Sequence, residues 1–198
     1  TFAEKAEALH YFPMWRTWFG LNGLCKLPWN DVEPADNRTV YRGIDAAKVP
    51  EHVANYVTLF TAVTGREDVT GPDDLIRMSE AVYNFQRLFN LKMGYGTREH
   101  DAIPYRSMGP VTDVEYESRA DRYDGQLRSL AGIDPSGLST VEKRLALRRY
   151  REAEYEKLID AVYERRGWNA KGIPSLETVR ALGIDYPDVV ALVARQGS

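Results

Sequence analysis

The chain has 198 residues, of which 43% are hydrophobic and 28% charged, and its formal net charge is -3. This composition is ordinary for a globular protein, and the length suffices for one sizeable helical domain or two small ones. The charge leaves no chain-wide basic field for nucleic acid or an anionic membrane, and no apolar run approaches the ~20 residues of a membrane span. We therefore expect neither nucleic acid nor a membrane as a partner.

The first 49 residues hold the only cysteine, Cys25, followed by an irregular link at 26–45 that is rich in proline and turn formers. Residues 38–44 allow a short strand, but no segment shows a convincing two-residue alternation. We therefore divide the chain into a segment of residues 1–49 and a helical bundle of residues 50–198.

Apolar residues at three- and four-residue spacing predict the first two helices of the bundle. One runs over 50–64 and stops at Gly65. Its apolar stripe consists of Val53, Tyr56, Val57, Phe60 and Val63. The next runs over 72–94, with Pro72 in its first turn. Its predicted buried stripe consists of Leu75, Met78, Val82, Phe85 and Phe89.

A third, longer helix is predicted from a capping box at Ser139 and Glu142 to a stop at Gly167. Its apolar stripe consists of Val141, Leu145, Tyr155, Leu158, Ile159 and Val162. The charged residues between these positions predict a solvated face and include Glu152, Glu154, Glu156 and Lys157. Short helices at 174–184 and 186–196 complete an all-α fold, an irregular multi-helix domain with long loops.

Cys25 has two interpretations. It is either a buried thiol that packs as a small hydrophobe or one ligand of a metal centre. Gly20, Asn22 and Gly23 lie beside it and permit close backbone approach to a bulky group. Lys26 follows directly, and a neighbouring cation favours the thiolate, the form that binds iron. The sole cysteine also excludes an intrachain disulfide, which fits a reducing compartment.

The three histidines show no paired metal-binding pattern. His10 is expected in an aromatic packing cluster, and His52 in the exposed first turn of a helix. His100 lies between two acids in a long loop that also holds Arg98 and Arg106. That loop either orients a substrate or partner, or is held by surface ion pairs.

Two segments, residues 87–106 and 163–184, resemble the tungsten-containing aldehyde:ferredoxin oxidoreductase family. The first matches its Arg-x-Phe-Asn-x-x-x-Gly helix end and the loop that leads to Pro-x-Arg. The matching residues are Arg87, Phe89, Asn90, Gly94, Arg98, Asp101, Pro104 and Arg106. The second resembles the closing segment of the family, with Arg-Gly-Trp, Gly-Ile-Pro and a short helix. Upstream, Gly23–Cys25 matches the end of its Asp-x-x-Gly-Leu-Cys motif.

The resemblance implies that the chain is the C-terminal part of a larger enzyme with a 4Fe-4S cluster and a tungsten or molybdenum bis-pterin centre. Cys25 then corresponds to a cluster ligand whose partner cysteines lie outside this chain. Leu24, Gly23 and Asn22 then lie beside the pterin. The family has an aspartate that hydrogen-bonds the pterin five positions before the cysteine, where this chain has Gly20.

The implied reaction is oxidation of a small aldehyde to a carboxylic acid in the cytoplasm, with electrons passed to ferredoxin or an electron-transfer subunit. The other implied partners are the upstream domains of the same enzyme, and a homo-oligomer remains open. Arg98, His100 and Arg106 are candidate residues of the substrate channel. This chain alone is then not catalytically complete, since the catalytic acid or base lies elsewhere.

Two other functions remain open from the residues. One is a related tungsten reductase that acts on an aromatic acyl-coenzyme A. The other belongs to a different class, a helical interaction domain that binds no cofactor; Gly20 and the single cysteine of the chain favour it.

Overall fold

A computed structural model of the chain describes residues 2–25 and 53–196, and these ranges are helical throughout apart from turns and loops. Extended backbone pairs within them at one isolated bridge, between Trp168 and Pro174. The all-α prediction is confirmed. The predicted strand at 38–44, the link at 26–45, the division at residue 49 and His52 lie outside the described residues.

Eight α-helices lie in the described ranges. In chain order they are α1 (Phe2–Leu21), α2 (Val53–Thr64), α3 (Pro72–Lys92), α4 (Asp113–Glu117), α5 (Ala120–Gln126), α6 (Thr140–Arg165), α7 (Leu176–Ala181) and α8 (Pro187–Gln196). Two 3-10 turns, Arg98–Asp101 and Tyr105–Met108, and a π-helical turn, Leu127–Ala131, add to them. The predicted stops at Gly65, Gly94 and Gly167 are confirmed. No described helix combines the length and apolar character needed to cross a bilayer.

The described chain divides into two compact units. The first unit comprises residues 1–100 and 160–198, and the second unit comprises residues 101–159. Helix α6 contributes its last turns to the first unit and its earlier turns to the second.

Helix α1 was not among the predicted helices, and its aromatic residues form the first core of the first unit. Met14, Trp15, Trp18 and Phe19 are each no more than 5% exposed and pack with residues of α2 and α3. The helix contains Pro13 and is apolar on several sides, which hides the one-sided stripe of an amphipathic helix. The expected aromatic setting of His10 is confirmed, since its ring meets that of Tyr11 edge to face at 5.1 Å.

The predicted buried face of α3 is wrong in its second half. Phe85 and Phe89 are 44% and 58% exposed, whereas Leu88 and Leu91 are buried together with the polar Asn84 and Arg87. The apolar stripe misleads because Asn84 and Arg87 form internal hydrogen bonds, so the buried face need not be the most apolar one.

The same error occurs on the other two main helices. Val63 in α2 is 84% exposed, and Val141 and Leu145 in α6 are 43% and 38% exposed. In α6 the buried residues of that region are instead Ala146 and Leu147, together with the polar Arg148.

An arginine stripe on α6 organises the second unit. Arg144, Arg148 and Arg151 each donate to a main-chain carbonyl of segment 105–111, at N–O distances of 2.9, 2.8 and 3.2 Å. These bonds satisfy carbonyls of a segment whose regular structure is limited to the 3-10 turn Tyr105–Met108. Glu152, one of the acids of the predicted solvated face, has a side chain 49% exposed, and its Oε1 lies 3.7 Å from Arg148 Nη1.

A hydrogen-bonded group of Tyr116, Asp124 and Lys143 links helices α4, α5 and α6 of the second unit. Tyr116 is 1% exposed and donates to Asp124 Oδ1 at 2.8 Å, and Lys143 donates to the other carboxylate oxygen at 2.9 Å. Burial raises the pKa of Tyr116, and its bond to Asp124 adds to that effect. Burial alone would raise the pKa of Asp124, but the hydrogen bonds from Lys143 and Tyr116 outweigh it and lower that pKa.

Replacement of Asp124 by asparagine should destabilise the second unit in a pH-dependent way. Because folding lowers the pKa of Asp124, its ionised form stabilises the fold above the unfolded-state value of about 3.9, and that contribution is lost as pH falls through the folded-state value. We expect Asp124→Asn to lower the free energy of unfolding near pH 7 by about 1–3 kcal/mol. Urea titrations followed by circular dichroism, repeated at falling pH, measure the change.

The matched control is Asp121→Asn, which alters an exposed aspartate on the same helix. It should change stability little at any pH. Equal losses in the two variants, or an Asp124→Asn loss that does not shrink in acid, would contradict the assignment.

Candidate functional site

The segment that bears Cys25 leaves the C-terminal end of α1. Trp18 and Phe19 anchor that end, because their rings pack against Tyr56 of α2 at centroid distances of 5.3 and 5.6 Å. Aromatic contacts of this kind hold a backbone firmly. The residues after Leu21 therefore start from a fixed point.

Gly23 ends helix α1. Its φ of 68° lies in the left-handed region, which favours glycine. The Leu24 N–H donates to Phe19 O at 2.9 Å and the Gly23 N–H donates to Gly20 O at 3.4 Å, the two bonds of a Schellman helix end. Glycine is thus required here by the helix end itself, and the same conformation leaves the backbone open to a neighbouring group.

Cys25 is exposed, so the interpretation of it as a buried thiol is wrong. Leu24 beside it is 39% exposed, and the Asn22 side chain folds back so that Nδ2 donates to Trp18 O at 2.9 Å. No three His, Cys, Asp or Glu side chains of the described residues cluster as metal ligands. An accessible thiol at an anchored helix end fits the role of one cluster ligand, and this chain supplies only that one thiolate.

The two downstream motif segments meet at the buried side chain of Arg87. Arg87 is 8% exposed, and its Nε donates to Gly172 O at 2.9 Å. Its guanidinium carbon lies 4.6 Å from the centre of the Trp168 ring and 6.0 Å from that of Tyr163. Trp168 in turn donates from Nε1 to Asn84 Oδ1 at 2.7 Å. We call these five residues the Arg87 cluster.

Gly172 lets a tight turn approach the Arg87 cluster. Its φ is 80°, and a Cβ at this position would lie 2.3 Å from Arg87 Nη2 and 2.7 Å from the Tyr163 hydroxyl. The side chain of Asn169 accepts from the N–H groups of Lys171 and Ile173 and closes the turn from within. The Gly-Ile-Pro stretch is therefore shaped to pack against a buried cation.

Arg98 joins the loop after α3 to the same turn. Its backbone N–H donates to Lys171 O at 3.0 Å, and its Nη1 donates to Asp160 Oδ1 at 2.7 Å and to Ala170 O at 3.3 Å. His100 is exposed; its Nδ1 lies 2.8 Å from Thr97 Oγ1. Both candidate channel residues belong to the first unit.

Arg106, the third candidate channel residue, lies in the second unit. Its side chain is 75% exposed and donates to Glu115 Oε1 at 2.5 Å. The Val111 N–H and Arg106 lower the pKa of Glu115, in that order of importance. Arg106 lines an open cavity of about 310 Å³ together with Arg119 and Arg151. The structure thus places Arg106 at a cationic cavity within this unit.

The family model described as aldehyde ferredoxin oxidoreductase, domains 2 & 3, matches residues 1–184. The chain belongs to this family. The matched range covers Cys25 and the whole Arg87 cluster, so the resemblance drawn from the motifs is confirmed. No curated protein and no solved structure matches the chain significantly.

Several residues that build the site in this aldehyde ferredoxin oxidoreductase domain were not identified from the sequence. Asn84 and Trp168 had no predicted role, and Arg151 was not singled out on the charged helix. The spacing of Arg144, Arg148 and Arg151 places them along one side of a helix, and this shared side is the signal that could have identified the arginine stripe. Asn84 and Trp168 are hydrogen-bonded to each other across 84 positions of the sequence, so no local pattern marks the pair.

Replacement of Gly172 by alanine should destabilise the first unit by more than the usual cost of an alanine in the left-handed backbone region. That ordinary cost is about 1–2 kcal/mol. The clash with Arg87 and Tyr163 adds about 1–3 kcal/mol of overpacking. Denaturant unfolding monitored by circular dichroism measures the total.

Gly137→Ala is the matched control, since Gly137 has a φ of 81° and no atom within 4 Å of an added Cβ. We expect it to lose only the conformational part. Equal losses in the two variants would show that the Arg87 cluster tolerates a side chain at this turn.

Proposed function

We propose that this chain forms part of a tungsten- or molybdenum-pterin iron–sulfur enzyme that oxidises small aldehydes to carboxylic acids and passes the electrons to ferredoxin. The family match over residues 1–184 supports the aldehyde ferredoxin oxidoreductase type. The observation that carries the redox part is the exposed thiol of Cys25 directly after an anchored helix end. The proposed location is the cytoplasm, and the proposed partners include the other domains of the same enzyme.

When bound, the metal–pterin centre accepts two electrons from an aldehyde while water supplies oxygen, and the 4Fe-4S cluster carries the electrons onward. Cys25 contributes one thiolate to the cluster in this proposal. Leu24, Gly23 and Asn22 would lie beside the pterin in this proposal, and their exposure at the helix end supports it. Gly20 offers no carboxylate for a pterin hydrogen bond.

The fold of the first unit positions the helix end that precedes Cys25. The aromatic anchor of Trp18 and Phe19 fixes the end of α1, and the backbone that leads to Cys25 starts from that end. We propose a role in the substrate channel for each of Arg98, His100 and Arg106. For Arg98 the contacts to Asp160 and Ala170 supply a structural role as well.

Replacement of Cys25 by serine should lower the iron content of the native polypeptide that contains this chain, or change the electron paramagnetic resonance signal of its cluster. A serine hydroxyl is a much weaker iron ligand than a thiolate. Iron analysis and spectroscopy of the purified holoenzyme measure the effect.

Leu21→Ala serves as the control, because Leu21 is 50% exposed one turn before Cys25 and has no proposed cofactor contact. It should leave the cluster unchanged. A Cys25→Ser protein with full iron content and an unaltered signal would refute the ligand assignment, whereas a wild-type protein without iron would favour the cofactor-free interaction domain.

Replacement of Arg106 by glutamine tests the channel. If Arg106 contacts the substrate, KM for the aldehyde should rise about 3–10-fold with kcat little changed. Arg66→Gln is the matched control, since Arg66 is also exposed and also pairs with an acid at 2.5 Å. Steady-state kinetics of the holoenzyme measure both, and equal KM values in the two variants would argue against a channel role.

A further inference from the structure

The first unit contains an open cavity of about 410 Å³ that the proposed redox function does not use. It lies between α1, α3, the end of α6 and α7, and its size suits a small organic molecule. The polar residues among its lining are His10, Arg77, Glu80, Asn84, Arg165, Arg166, Ser175, Glu177 and Thr178. Met14 and Leu182 form apolar parts of the cavity wall.

His10 is the least satisfied polar side chain of this cavity. The residue is 3% exposed, and its Nδ1 has no hydrogen-bond partner among the described residues. Its Nε2 lies 2.8 Å from Glu80 Oε1, without the alignment of a hydrogen bond. With Nε2 facing the Glu80 carboxylate, the neutral ring carries its proton on Nε2, and Nδ1 is then an acceptor. His10 therefore closes one side of the cavity and leaves recognition of an anion to the arginines.

Two arginines of the cavity are bonded only to neutral groups within the described residues. Arg166 donates to the Tyr83 hydroxyl at 3.3 Å and to Leu9 O at 3.0 Å, and its buried Nε has no partner there. Arg77 donates to the main-chain oxygen of Ala181. In contrast, Arg165 is paired with the carboxylate of Glu7.

The charges that face the cavity therefore favour a single negative charge. Arg77 and Arg166 lack a carboxylate partner among the described residues, whereas Glu80 lies against His10. The other acid in the lining, Glu177, is exposed and would repel a doubly charged anion. A carboxylate carries one charge and two acceptor oxygens, which suits a fork of guanidinium donors.

We propose that this cavity binds a small organic carboxylate. Arg166 and Arg77 hold the carboxylate, and Met14 and Leu182 face its apolar part. The site shares no residue with the Cys25 segment or with the candidate channel, so it does not rest on the proposed redox function.

Isothermal titration calorimetry with sodium benzoate as the probe tests this proposal on the native polypeptide that contains the chain. We expect saturable binding with a dissociation constant below about 1 mM, and weaker binding of inorganic phosphate. Arg166→Gln and Arg77→Gln should each weaken benzoate binding about tenfold or more, as expected for loss of a charged hydrogen bond. Because Arg77 is exposed, its variant should retain the fold even if Arg166→Gln does not.

Arg180→Gln is the matched control, since Arg180 is an exposed arginine of α7 that does not line the cavity. It should bind benzoate as the wild type does. Absence of saturable binding, tighter binding of phosphate, unchanged affinity in Arg77→Gln, or an equal loss in Arg180→Gln would each overturn the proposal. Cluster iron content should remain unchanged in all three variants, which separates this test from that of Cys25.

Discussion

A buried guanidinium sets the architecture of the first unit. Removal of Arg87 from water carries a large desolvation cost, which the Gly172 carbonyl and the faces of Trp168 and Tyr163 offset in part. These partners come from the end of α6 and from the turn that follows it. The Arg87 side chain therefore holds together segments that lie 85 positions apart in sequence. Gly172 is the residue that allows the turn to reach this side chain.

Helix α3 transmits that constraint to the Cys25 segment. Its first half contributes Leu75 and Ile76 to the aromatic core that fixes α1, and its second half carries Arg87. Its end leads into the loop of Arg98, which binds the same turn as Arg87. Helix α3 thus positions both the helix end before Cys25 and the Arg98 loop, although these two segments are far apart in sequence.

The sequence was sufficient for the helical class, the three main helices and their glycine stops, because local spacing and left-handed turns determine these features. It was insufficient for the buried faces. On α3, the apolar Phe85 and Phe89 remain exposed while Asn84 and Arg87 are buried, since their hydrogen bonds connect residues far apart in the chain. Helices α4 and α5 were missed because they are too short to show a period.

The contacts at the candidate site separate the motif residues that the fold requires from the motif residue that bears on redox chemistry. Gly23 is required by a helix end, and Arg87, Trp168 and Gly172 by internal packing, so a protein without any cofactor would need them to keep this fold. Cys25 differs from them, because it is exposed and no packing contact with the described residues explains its thiol. A match to the helix ends and the Arg87 cluster therefore identifies the scaffold. The thiol is the group whose replacement separates a redox domain from a helical interaction domain built on the same scaffold.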